Sequence, residues 1–128
     1  MEKKRILIVE DEADFLKGLQ EILSANGFEV HAATTGKTGL SLAKTIRPDL
    51  IILDIMLPEI NGYKVCRLLK FDERYKKIPI IMLTARTQEE DEQLGRHAGA
   101  DAYLIKGQKV EILIQEIKTL LAKSTSPS

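Results

Sequence analysis

The chain holds no tryptophan, three phenylalanines, three tyrosines and a single cysteine, Cys66. One cysteine excludes an internal disulfide and makes a reducing cytoplasm the expected setting. No apolar run approaches the roughly 20 residues needed to span a bilayer. The basic start, Met1 to Arg5, is followed by only four apolar residues before two acids, too few for a signal-peptide core. An excess of either charge is also missing, because 19 Lys and Arg face 19 Asp and Glu. Bulk electrostatics therefore gives no reason to expect nucleic acid or an anionic membrane as the main partner. The only histidines, His31 and His97, fall on a weak strand and a helix. Neither builds a zinc cluster or a triad, so both read as structural. Cys66 reads as packing on the inward side of a helix.

What is present is a set of short apolar runs in a 128-residue chain, a length suited to one domain with one core. Ile6 to Val9 ends on Glu10-Asp11, and Leu50 to Leu53 ends on Asp54. Ile80 to Leu83 ends on Thr84, and Ala102 to Ile105 ends on Lys106. Such bounded runs are the pattern of strands buried on both faces of a parallel sheet. Glu29 to Ala33 is a weaker strand.

Helical patterns lie between the strands. Phe15, Leu19, Ile22 and Leu23 recur at helical spacing before the stop Asn26-Gly27. Thr35 caps a helix that must end before Pro48. Asn61-Gly62 opens a third, with Val65, Cys66, Leu68 and Leu69 predicted inward. Thr87 to Glu90 has the form of a capping box, with a helix from there to about His97. Val110 to Ala122 is the last, with Leu113, Ile114, Ile117, Leu120 and Leu121 as its apolar stripe. Five strands alternating with five helices predict a doubly wound α/β sandwich. Its domain spans residues 1–123, and 124–128 form a polar stub or the start of a linker. The basic stretch of Arg67, Lys70, Arg74, Lys76 and Lys77 reads as a solvated face.

Ligands of open parallel sheets bind outside the carboxyl ends of the strands. The three acids, a hydroxyl and an ammonium should therefore meet at one edge. Clustered carboxylates repel, and a bound cation relieves them. All-oxygen donors favour Mg²⁺ over zinc. A carboxylate can attack phosphorus to give an acyl phosphate while Lys106 and Thr84 steady the transferring oxygens.

Ile6 to Asp11, Asp54 to Pro58 with Gly62, Thr84-Ala85, Gly99 to Tyr103 and Lys106 together resemble the receiver domain of two-component response regulators, the CheY-like fold. The resemblance covers residues 4 to 122, and five motifs in this order and spacing are highly specific. It implies a flavodoxin-like strand order 2-1-3-4-5 with five helices. It makes Asp54 the acceptor of a phosphoryl group from a histidine kinase or histidine phosphotransfer protein. Asp11, Asp54 and the Met56 backbone carbonyl would ligate Mg²⁺, with Glu10 acting through water. Lys106 would pair with the phosphoryl group or Asp54. Thr84 and Tyr103 would form a switch that alters a face made by the fourth helix, fifth strand and fifth helix, where a protein target docks. Met56 and Arg86 would modulate phosphoryl lifetime. The implied activity is signalling with self-directed phosphotransfer and dephosphorylation only, not an enzyme with a separate substrate.

The chain departs from the pattern in two places. The family usually has Pro, with a cis bond, after the lysine, whereas Gly107 stands here. A cis bond without Pro costs about 2.5–4 kcal/mol, so a trans bond and an altered loop path are expected. Glu116 and Ala102 replace a basic and an acidic residue of winged-helix regulators, which disfavours their type of dimer. A stand-alone receiver is the first expectation, with a piece of a longer regulator second; no DNA-binding segment is legible. The alternative function is a phosphorylation-independent interaction module. An aspartate-nucleophile phosphatase would need an acid where Met56 stands, and Glu10-Asp11-Glu12 would repel a flavin phosphate.

Overall fold

A computed structural model describes residues 2–85 and 98–125. Its elements run β1 Arg5–Val9, α1 Ala13–Ala25, β2 Glu29–Ala33, α2 Gly36–Ile46, β3 Leu50–Asp54, α3 Gly62–Lys70, β4 Ile80–Thr84, β5 Ala102–Ile105 and, labelled α4, the last helix Val110–Thr125. All strand pairings are parallel, and the sheet order is β2-β1-β3-β4-β5. The described residues thus hold four helices. The capping box at 87–90 and the helix expected from there to His97 lie outside them, as does Arg86.

The runs of β1, β3 and β4 form strands because both of their faces are covered; the fourth run, β5, expected from its pattern to be buried on both faces, lies at the sheet edge and is only half-buried. Even-numbered residues of β1 and β3, Ile6, Ile8, Leu50 and Ile52, meet Leu16, Leu19 and Leu23 of α1 and Leu113, Ile117, Leu120 and Leu121 of α4. Odd-numbered Leu7, Val9, Ile51 and Leu53 meet Ala43 of α2 and Val65, Cys66 and Leu69 of α3. Period-two alternation sends successive side chains to opposite layers, so one strand supplies two cores. Burial pushes the Cys66 thiol up to about 12, as expected for a packing cysteine.

Helix ends follow the local chemistry. The Thr35 hydroxyl accepts from the Thr38 N–H, and the Asn61 side chain accepts from the Lys64 N–H. Asn26 closes α1, and Gly27 takes φ +89° in the left-handed region. Two expectations are corrected. Leu68, predicted inward, is 41% exposed, because Val65, Cys66 and Leu69 already fill the inner stripe of a short helix. The last helix continues to Thr125, three residues past the predicted end, since nothing before Pro127 stops it.

The basic stretch is largely as expected, with Arg74 on Asp72 and Lys76 on Glu73 at the surface. Lys70 is the exception. Its ammonium donates to the Asp101 carboxylate at 2.9 Å and to the Ile78 carbonyl at 3.1 Å, while Asp101 also accepts from the Ile80 N–H. No helix among the described residues is long and apolar enough to cross a membrane.

Candidate phosphoacceptor site

The sheet order reverses direction between β1 and β3, since β2 lies on one side of β1 and all later strands on the other. Such a switch point opens a crevice at the carboxyl ends of the two strands. Val9 pairs with Leu53, so the next residues, Glu10 and Asp54, emerge side by side. Both are buried, at 2% and 6% exposed. Asp11 joins them at the surface, and one carboxylate oxygen of each acid lies within 4.8 Å of the others. The Asp11 carboxylate is not used as a helix cap, because the N-cap of α1 is Glu12, which makes no side-chain capping bond. Three convergent oxygen donors, two of them buried, can hold a metal ion.

Lys106 brings the countercharge. Its ammonium pairs with the Glu10 carboxylate, reaches Asp54 at 3.4 Å and lies 3.8 Å from Glu12. The pairing with Glu10 goes beyond the Asp54 or phosphoryl partner that the resemblance implies for Lys106. Burial favours the neutral form of Lys106, but the hydrogen bond to Glu10 and the charges of Asp54 and Glu10 outweigh it, so its pKa rises. Burial, then the hydrogen bond with Asp54, raises Glu10 to about 7, against the opposing pull of Lys106. One lysine does not neutralise the acids, and this surplus of negative charge is what a divalent cation would relieve.

Thr84 ends β4 and is 1% exposed. It pairs in register with Ile105, and its carbonyl accepts from the Lys106 N–H at 2.6 Å. Tyr103 is half-buried beside Met82 and packs on the core shared with α2 and α3. Met56 stands at the rim and is 57% exposed. The loop it begins is pinned by Gly62, whose N–H donates to the Ile55 carbonyl at 2.9 Å. A Cβ on Gly62 would run into the Asp54 carbonyl, so only glycine lets α3 start this close to β3. No cis peptide bond occurs among the described residues, so Lys106-Gly107 is trans as expected. Gly107 takes φ +92°, a conformation proline cannot adopt.

An open parallel α/β sheet with acids, hydroxyl and lysine at its switch point defines the class of molecule. Residues 6–118 match the response regulator receiver domain family, and the chain belongs to it. It is 38% identical over 122 residues to the DNA-binding response regulator MtrA of Mycobacterium tuberculosis H37Rv, covering 95% of this chain and 52% of that protein. It is 39% identical over 121 residues to the alkaline phosphatase synthesis transcriptional regulatory protein PhoP of Bacillus subtilis, covering 94% of this chain and 50% of that protein. The chain thus spans about half the length of these curated relatives. Among solved structures, a putative response regulator from Chloroflexus aurantiacus superposes with TM-score 0.90 at 33% identity, over 94% of this chain and 99% of that one. The signal receiver domain of a signal transduction histidine kinase from Syntrophus aciditrophicus gives TM-score 0.91 at 33% identity, over 98% and 95%.

Proposed function

We propose that this chain is a Mg²⁺-dependent phosphoacceptor in a two-component relay, with Asp54 as the accepting residue. The observation that carries the reading is the meeting of Asp54 with Glu10, Asp11 and Lys106 at one strand edge. Glu10, Asp11 and Asp54, with the Met56 carbonyl, would hold the ion. When bound, Mg²⁺ supplies positive charge that lets the carboxylates stay ionised beside an incoming phosphoryl group.

The chain's own groups do the rest. A carboxylate oxygen of Asp54 forms the new bond to phosphorus as the bond to the donor's imidazole nitrogen breaks. Lys106 moves from its carboxylate partners toward the phosphoryl oxygens. Thr84 donates its hydroxyl to one of them, and Tyr103, two residues before the register partner of Thr84 on β5, turns with that loop. The altered face of β5 and the adjoining helices then meets a downstream protein. The donor is a histidine kinase or phosphotransfer protein, the setting is the cytoplasm, and no separate substrate is turned over. A phosphorylation-independent module would have no use for two buried carboxylates facing a lysine, so the geometry favours the acceptor.

Incubation with acetyl phosphate tests the reading. Intact-protein mass spectrometry should show a labile phosphoryl adduct with Mg²⁺, none with EDTA, and none on Asp54→Asn. An adduct that survives the substitution, or no Mg²⁺-dependent adduct at all, overturns it.

A further inference from the structure

The backbone on either side of Lys106 is held unequally. Its N–H donates to the Thr84 carbonyl, but the next residue, Gly107, is exposed at φ +92°, and a Cβ built there would meet nothing within 4 Å. Beside the lysine lies a cavity of about 320 Å³, lined by Phe15, Gly18, Leu19, Leu104, Gly107 and Leu113 among others, and by Lys106 itself. A flexible four-carbon stem next to such a space has many rotamers open to it. Yet the ammonium sits against Glu10 and Asp54. The Phe15 ring borders both this cavity and the space beside Glu10 and Asp54; it is half-buried in the first turn of α1, with the ammonium 4.6 Å from its centroid. A cation within about 6 Å of a ring face is attracted by the ring's quadrupole.

We propose that Phe15 is the positioning residue for Lys106: its ring face holds the ammonium on the Glu10–Asp54 side and out of the adjoining cavity. The ring supplies from α1 the restraint that the loop after Lys106 lacks. Phe15 touches no reacting atom and acts only through the lysine. Its kinetic consequence rests on the phosphoacceptor reading, whereas its effect on the lysine does not.

The test has two arms. In NMR spectra of the intact chain, the Lys106 ε-methylene protons, assigned by their loss in Lys106→Ala, should be shifted upfield by the ring. Phe15→Leu, which keeps an apolar side chain on α1, should abolish that shift, and Phe15→Tyr should retain it. In the kinetic arm, Phe15→Leu should slow adduct formation from acetyl phosphate about three- to tenfold at saturating Mg²⁺, with Phe15→Tyr within about twofold of the parent. In a Lys106→Ala background, Phe15→Leu should cause no further slowing, because additivity fails only for residues that act together. A methylene shift unchanged by Phe15→Leu, or equal slowing in both backgrounds, overturns the proposal. Absence of any adduct on the parent chain overturns the phosphoacceptor reading instead and leaves the NMR arm to judge Phe15.

Discussion

The acids of the site leave β1 and β3, interior strands buried from Ile6 to Val9 and from Leu50 to Asp54, whereas Lys106 leaves β5, an edge strand half-buried throughout. Asp54 is therefore fixed by its backbone: two neighbouring strands, two core layers and Gly62 packed against its carbonyl. Lys106 is fixed by what its side chain touches. A nucleophile needs a constant place, and a cation that must change partners needs a place it can leave.

The widest test of this contrast is truncation on each side. Ile52→Ala should destabilise the fold by about 3–4 kcal/mol, and Leu104→Ala in β5 by about half as much, since less apolar area leaves water there. Urea unfolding measures both. Equal losses would show that β5 is held as firmly as β3, and the contrast would fail.

The second test uses pH on the metal-free chain. Glu10 is raised from 4.5 to about 7, so the folded state binds its proton more tightly than the unfolded state. Its contribution to stability is fully present below about pH 4.5 and is lost as the pH rises through about 7. The unfolding midpoint in EDTA should fall across that window. Glu10→Gln should flatten the curve, and a slope unchanged by that substitution would reassign the titration to another group.

The smallest effects concern two glycines that line the cavity beside Lys106. A Cβ on either would meet nothing within 4 Å, but only Gly107 has positive φ. Gly18→Ala within α1 should stabilise by about 0.5–1 kcal/mol. Gly107→Ala should destabilise by about 1 kcal/mol through left-handed backbone strain. Thermal melts distinguish the signs, and a gain at both positions would show that the loop after Lys106 relaxes freely.

The strands were legible because burial on two faces writes itself as unbroken apolar runs, and their ends carried Glu10, Asp11, Asp54, Thr84 and Lys106. The caps at Thr35 and Asn61 were legible because they are local chemistry. Leu68 was misplaced because periodicity marks a face without saying how wide a stripe the core will take. The pairing of Lys106 with Glu10, and with it the burial of Glu10, was not legible. The two residues are remote in sequence, and only the register of β1 and β3 with the reach of a side chain from β5 brings them together. Phe15 read as one member of the α1 stripe for the same reason, since a ring's contact with a cation exists only in tertiary geometry.

Asp101 lies at the opposite edge from the acids. Its carboxylate takes the Ile80 N–H and the Lys70 ammonium just before β5 begins. One residue thus rivets the tail of α3, the root of β4 and the root of β5 at the amino end of the sheet. The same two strands are tied again at their far ends by the Lys106 N–H on the Thr84 carbonyl, so Asp101 sets the register in which Thr84 and Lys106 arrive at the site.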